Sequence, residues 1–340
     1  MYNSQLTNRV WKISMRLFQW ILISALVAIP SLAQEPTMAV VEKKAGKVGF
    51  YTADGKRLSE VKVGIFPHEM AFSPDRRFLY VSDNGVEWMT DKGKGFNTIS
   101  IIDVASRKKL GVIDLGNYYR PHGMLVLPKT GQLIVTIENP DGLLLVDPVA
   151  RKVLRKYDVK GEHPHMVLLG PNAQTAWASN ATSGEVAVVN LTSGSVEKVI
   201  PTGKNPQGAV MTRDGKWIYL TNTASNTISV IDATKREVVG EIKTGIAPAR
   251  IVLTPDEKTL VYNLLTGEGV AFADVQTRQQ TGDIKLPGQP LSLSKSKDGR
   301  TAYLGIQDKD KIVIVSVPER KIIRVIDTPS GAGPDTIAPL

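Results

Sequence analysis

A proline that opens a short apolar run returns seven times along this 340-residue chain, at Pro67, Pro121, Pro164, Pro206, Pro248, Pro290 and Pro334. Successive copies lie 54, 43, 42, 42, 42 and 44 residues apart. A period near 42 built from short strands and tight turns is the signature of propeller blades, about four strands each.

The fourth copy, from Pro206 to Gly245, shows the unit. Its apolar stretches, Gly208 to Thr212, Trp217 to Thr221, Thr227 to Asp232 and Val238 to Lys243, are of strand length and rich in Val, Ile and Tyr. Asp214-Gly215 and Asp232-Ala233-Thr234 supply turns between them. We label the four strands a to d. A lone sheet of this kind leaves its apolar faces wet, so each unit must stack on a neighbour, and a ring lets every unit do so. The ends of the chain predict how that ring closes. Met38 to Lys43, Lys47 to Thr52 and Arg57 to Val63, with Asp54-Gly55 as a turn, read as strands b, c and d without an a. The missing strand a lies at the other end, from Pro334 to Pro339. A seventh blade made from both termini fastens the ring and leaves it no open end. The expected fold is all-β, a seven-bladed beta-propeller of four-stranded antiparallel blades.

YLTN (Tyr219 to Asn222) and NTISVIDA (Asn226 to Ala233), with YVSD (Tyr80 to Asp83), NTISIIDV (Asn97 to Val104), SPD (Ser73 to Asp75) and TPD (Thr254 to Asp256), resemble the YVTN beta-propeller repeat. The likeness spans nearly all of the chain after residue 37 and is strongest in the first and fourth copies. Elsewhere GLLLVDP, GEVAVVN, GVAFADV and KIVIVSV keep only the apolar pattern. The resemblance implies an exported bacterial or archaeal propeller, related to the WD40-like, lactonase-like and quinoprotein amine dehydrogenase-like propellers, and leaves the function open.

Residues 1–33 differ in composition from the rest. Arg9, Lys12 and Arg16 precede an apolar stretch from Leu17 to Ile29, and Ser31-Leu32-Ala33 offers a small-residue cleavage site. That is the layout of a secretory signal peptide cleaved after Ala33, which leaves residues 34–340 as the propeller, periplasmic or secreted. The alternative is an uncleaved anchor, but a span needs about 20 apolar residues, so no transmembrane span is expected in the mature chain. Without the leader the chain has 39 basic and 33 acidic residues. So modest an excess, with no Lys/Arg run longer than the three of Arg107-Lys108-Lys109, argues against nucleic acid as a partner. Cysteine is absent, which excludes disulfides, covalent c-type haem, thiolate iron–sulfur clusters and a thiol nucleophile. No Walker-type glycine loop, GxSxG elbow or HExxH motif occurs. A ring of this size buries enough surface to stand as a monomer.

Strand direction places the d-to-a and b-to-c loops on one edge of the ring, called here the top. The residue after each blade-opening proline then lies at the top end of the innermost strand, beside the central channel. Around the ring these residues are His68, His122, His165, Gln207, Ala249, Leu291 and Asp335. The chain has four histidines, and three take this position in adjacent blades; the fourth, His163, lies two residues before His165. Three neutral imidazoles around one opening suit a divalent metal such as Zn, Cu, Fe or Ni, with Asp335 and Glu69 as carboxylate ligands or as partners that orient the rings. The alternative is that each imidazole bonds a neighbouring backbone group. Arg250, beside Ala249, reads either as a clamp for a carboxylate or phosphate or as the partner of an acid on another blade.

The first copy is 12 residues longer than the fourth, and the whole excess falls in top loops beside His68 and His122. One insertion, Asn84 to Phe96, carries Trp88, Met89 and Phe96; the other adds Tyr118, Tyr119 and Arg120. Aromatics at an opening are candidates for gripping a ligand or a partner strand; the alternative is that Trp88 and Phe96 fold back over the first blade. These features predict a binding or scaffold protein whose top mouth, near blades 1 to 3, takes a small molecule or a protein partner. The expected ligand contacts are Trp88, Tyr118, Tyr119, Arg120, Gln207 and Asp335. The competing expectation is a hydrolase or lyase of the lactonase-like kind. There His122 or His165 is general base, Arg250 holds a substrate carboxylate, and Glu69 or Asp335 orients an imidazole or a metal on His68, His122 and His165. A third, a subunit serving a periplasmic redox enzyme, rests on the resemblance alone.

Overall fold

A computed structural model describes residues 34–340, and the leader expected at 1–33 lies outside the described residues. Among the described residues no helix is long and apolar enough to cross a membrane. Among the described residues twenty-eight strands form seven four-stranded sheets. Blade 4 shows the order: Pro206–Met211 innermost, then Trp217–Asn222, Thr227–Asp232 and, outermost, Glu237–Lys243, each antiparallel to the next. Blades 1, 2, 3 and 5 open with Pro67–Phe72, Tyr119–Val126, Pro164–Leu169 and Pro248–Leu253. Blade 7 is the composite the sequence predicts: Pro334–Pro339 pairs with Met38–Glu42, followed by Lys47–Tyr51 and Arg57–Lys62.

The b and c strands read as continuous apolar runs because a neighbouring blade covers each of their faces. Tyr80, Ile99 and Ile101 pack toward blade 2 against Met124, Val135 and Ile137, whereas Leu79, Val81 and Ile102 pack toward blade 7 against Val41, Val48 and Phe50. Alternate side chains of one strand thus serve two neighbours. The outermost strands have little to cover them and are accordingly polar: Lys108–Asp114 buries only Ile113, and Glu237–Lys243 only Ile242.

The repeated phrases have mechanical roles. Asn222, which ends YLTN, is buried; its Oδ1 accepts the Gly203 N–H at 3.2 Å and its amide donates to Ser229 Oγ at 2.9 Å. Asp83, which ends YVSD, accepts from the Gly64 N–H at 2.7 Å and from Thr98 and Ser100 at 2.8 Å. In blades 1, 3 and 4 this side chain, Asp83, Asn180 or Asn222, ties the blade to the strand end of the one before. A Cβ on Gly203 would stand 2.6 Å from Asn222 Cγ, so only glycine fits there. In the SPD and TPD turns Ser73 and Thr254 donate to the carboxylate two residues on, at 2.6 and 2.7 Å.

Strand a carries a bulge next to its proline. The ladder shifts register between Pro67 and Met70, Pro121 and Met124, Pro164 and Met166, Pro206 and Ala209, and Pro248 and Ile251. A bulge frees residues from the ladder and re-aims their side chains. The N–H it releases is taken by a side chain of strand b, which also reaches the next blade. Thr221 Oγ1 accepts from Gly208 N–H at 3.0 Å and donates to Ala249 O at 2.6 Å. Thr136 links Gly123 N–H to His165 O at 2.8 and 3.0 Å, and Ser179 links Met166 N–H to Gln207 O at 3.1 and 3.0 Å. Blade 6 reverses the parts. Its hydroxyl is on strand a, where Ser292 Oγ accepts from Gly305 N–H at 3.2 Å and donates to Asp335 O at 2.6 Å. The innermost strand there is reduced to Ser294–Lys295, with an isolated bridge from Pro290 to Ile306.

Candidate ligand site at the mouth of the ring

Bulge and hydroxyl clip together fix the residue after each proline, and all seven of these residues line one cavity of about 90 Å³ at the top of the channel. A second ring of positions joins them. The residue two beyond the clip on strand b supplies Lys43, Asn84, Glu138 and Leu265, and the long loop of blade 1 adds Val86, Glu87, Trp88 and Met89. Lys43 and Glu138 were not foreseen as site residues. Their signal was register: both stand where Thr223 follows YLTN.

His68, His122 and His165 are buried in contact with one another. Ring centroids are 4.6 Å apart for the first pair, edge to face, and 4.0 Å for the second, tilted by 36°. His68 Nδ1 and His122 Nε2 share a hydrogen bond of 2.9 Å, and His68 Nε2 bonds Val86 O at 2.9 Å. Nδ1 of His122 and Nδ1 of His165 are buried without a partner. Burial holds all three imidazoles well below the usual histidine range. Positive neighbours add to it, chiefly Lys43 at His68 and Arg250 at His165.

The metal centre expected from His68, His122 and His165 is not what these donors form. Two of the nitrogens are spent on each other and a third on a carbonyl, so they do not converge on a common point. Among the described residues no group of three or more His, Cys, Asp or Glu is arranged to hold a metal ion. The carboxylates face elsewhere too. Asp335 pairs with the buried Lys43 at 3.2 Å. Glu69 pairs with Arg250 at 2.8 Å and accepts from Thr336 at 3.0 Å, so neither acid orients an imidazole. Burial pushes the Glu69 carboxyl up, against the pull of Arg250. Of the two readings of Arg250, the structure shows the pairing with an acid on another blade; a substrate carboxylate finds its guanidinium already engaged.

The expected ligand contacts divide. Trp88, Gln207 and Asp335 line the cavity, with Trp88 40% exposed and its ring 5.6 Å from Lys43 Nζ. Tyr118, Tyr119 and Arg120 are not on the cavity wall. Tyr118 packs on the core between blades 1 and 2, and Tyr119 lies under Lys94 Nζ at 4.0 Å. Arg120 is buried, 3.1 Å from Glu138, and donates to Met89 O at 3.1 Å. It therefore holds the long loop over the mouth. Phe96 is clear of the cavity; its N–H bonds Asn84 O at 2.8 Å and its carbonyl accepts from Arg120 N–H at 2.7 Å. His163 sits 3.2 Å from Glu138, outside the imidazole group.

Solved structures of similar fold are distant in sequence. The periplasmic gluconolactonase PpgL of Pseudomonas aeruginosa is 17% identical with TM-score 0.72, over 89% of this chain and 98% of that one. A functionally unknown protein from Desulfotomaculum acetoxidans is 12% identical with TM-score 0.74, over 90% and 99%. Hydrazine synthase of Kuenenia stuttgartiensis is 17% identical with TM-score 0.64, over 77% and 86%. No curated protein matches the chain in sequence. The profile of the YNCE-like beta-propellers matches residues 153–338, more than half of the chain, and the chain belongs to that family.

Proposed function

We propose that the chain is an exported binding protein that takes a small polar ligand, or a side chain projecting from a protein partner, into the top mouth near blades 1 to 3. One observation carries this reading: the seven post-proline residues converge on one cavity, and two of them, His122 and His165, have buried Nδ1 atoms without a partner. A buried polar atom left alone is costly and marks where a missing partner belongs. The rigid ring below and the inserted loop above fit binding, and the residues that line the cavity include no Ser, Thr, Tyr or Cys. Calorimetric screening of the purified chain against small polyols, amines and acids tests it. A saturable ligand whose heat is lost in His122→Ala supports the reading, and rapid chemical turnover of the ligand sinks it.

The lone pair on His122 favours a second reading, a lactone hydrolase with His122 as general base, and the gluconolactonase of similar fold gives the substrate class to try first. Lactone opening that falls at least a hundredfold in His122→Ala would establish it. Export through a leader cleaved after Ala33 belongs to both readings. An intact mass of the mature protein that begins at Gln34 checks it.

A further inference from the structure

This inference rests on the small-ligand reading of the mouth and narrows what that ligand is. A carbonyl has no proton to give, so His68 Nε2, 2.9 Å from Val86 O, is the donor. A neutral ring carries one N–H. His68 Nδ1 is then a lone pair, and across the 2.9 Å contact His122 Nε2 is the donor. His122 has thereby spent its single proton. Its Nδ1 is an acceptor, buried and without a partner, on a residue that lines the cavity. One backbone carbonyl sets both tautomers.

Charge around the cavity is already matched. Lys43 pairs with Asp335 at 3.2 Å and Arg250 with Glu69 at 2.8 Å; Glu138 has Arg120 at 3.1 Å and Glu87 has Lys44 at 3.4 Å. Both cations on the wall, Lys43 and Arg250, are thus engaged, and a carboxylate would bring lone pairs to a lone pair. We propose that the mouth selects a small uncharged ligand bearing a hydroxyl that donates to His122 Nδ1, a polyol-like group in place of a carboxylate. The cavity of about 90 Å³ is open at the top of the channel, which suits a small ligand or one projecting group of a larger one. Trp88 supplies an apolar face beside it.

The full chain, labelled with ¹⁵N-histidine, is titrated with erythritol and separately with succinate while the ring nitrogens are followed by NMR. The expected free state has a pyrrole-type Nε2 and a pyridine-type Nδ1 at His122. Erythritol then shifts that Nδ1 saturably, succinate does not, and His122→Phe removes the accompanying response at His165. A proton on Nδ1 of His122 in the free protein overturns the proposal without any variant being made. A saturable response to succinate alone overturns it too, and leaves the small-ligand reading standing. Silence toward both probes overturns this inference, and the calorimetric screen then decides the small-ligand reading separately.

Discussion

After the opening proline, blades 1, 2 and 3 place His68, His122 and His165 at the mouth, whereas blades 4, 5 and 6 place Gln207, Ala249 and Leu291 there. The backbone beneath is the same in both halves. Thr136 and Ser179 in the histidine half make the bonds that Thr221 makes in the other, and blade 6 keeps the link with donor and glycine exchanged. The difference teaches that the scaffold fixes where a side chain goes and is indifferent to what it is. Chemistry can therefore be written into one sector while the rest of the ring stays structural.

The Glu69–Arg250 pair is where the halves meet across the channel, so cutting it has the largest expected effect. Glu69→Leu leaves a buried guanidinium without its partner and is expected to cost about 3–5 kcal/mol in urea unfolding, much of it recovered in Glu69→Leu with Arg250→Met. A loss below about 1 kcal/mol would mean that water already reaches the pair. Next come the clips. Thr136→Val and Thr221→Val each strand a buried N–H and carbonyl and are expected to cost similar amounts, about 1–3 kcal/mol. Only Thr136→Val should also move the His165 ring signals, and equal movement in both variants would break the distinction between the halves.

Acid sensitivity sharpens the same contrast. The three imidazoles have folded pKa values depressed below the unfolded value. Below that unfolded pKa the unfolded chain binds more protons, so their contribution to stability is full above about pH 6.5 and is lost as pH falls. The loss is about 1.4 kcal/mol per pH unit for each ring. Glu69 acts with the opposite sign, because its carboxyl is raised and the folded state takes up a proton first. His165→Gln should flatten the slope by one ring's share, whereas Gln207→Ala should leave it unchanged. The smallest effect is expected for Trp88→Ala. This ring is 40% exposed, so stability should change by only about 0.5 kcal/mol while ligand affinity falls.

Much of the ring was legible because periodicity and turn chemistry are local. The proline spacing gave seven blades, and the strand a missing before Pro67 was found at Pro334–Pro339. The convergence of the post-proline residues followed from strand direction alone. Hydrogen-bond partners did not follow, because they depend on distances a sequence does not carry. His68 bonds His122 and Val86, His165 only packs on the His122 ring, and the described residues hold no group arranged for a metal; Arg120, which sat beside aromatics as if to grip a ligand, is turned inward to Glu138. Lys43 escaped notice because it belongs to the composite blade, whose proline-led phrase at Pro334 lies at the other end of the chain.

Closure of the ring by a borrowed strand has one more consequence. Pro334–Pro339 is bound to Met38–Glu42 only through main-chain pairing and packed side chains, with no covalent tie beyond the chain itself. Deleting it leaves a slot the shape of one extended peptide, the geometry used in donor-strand complementation. A protein shortened before Pro334 is thus a receptor for its own missing segment, and a synthetic copy of that segment, added in trans, becomes a reversible key to the whole circle.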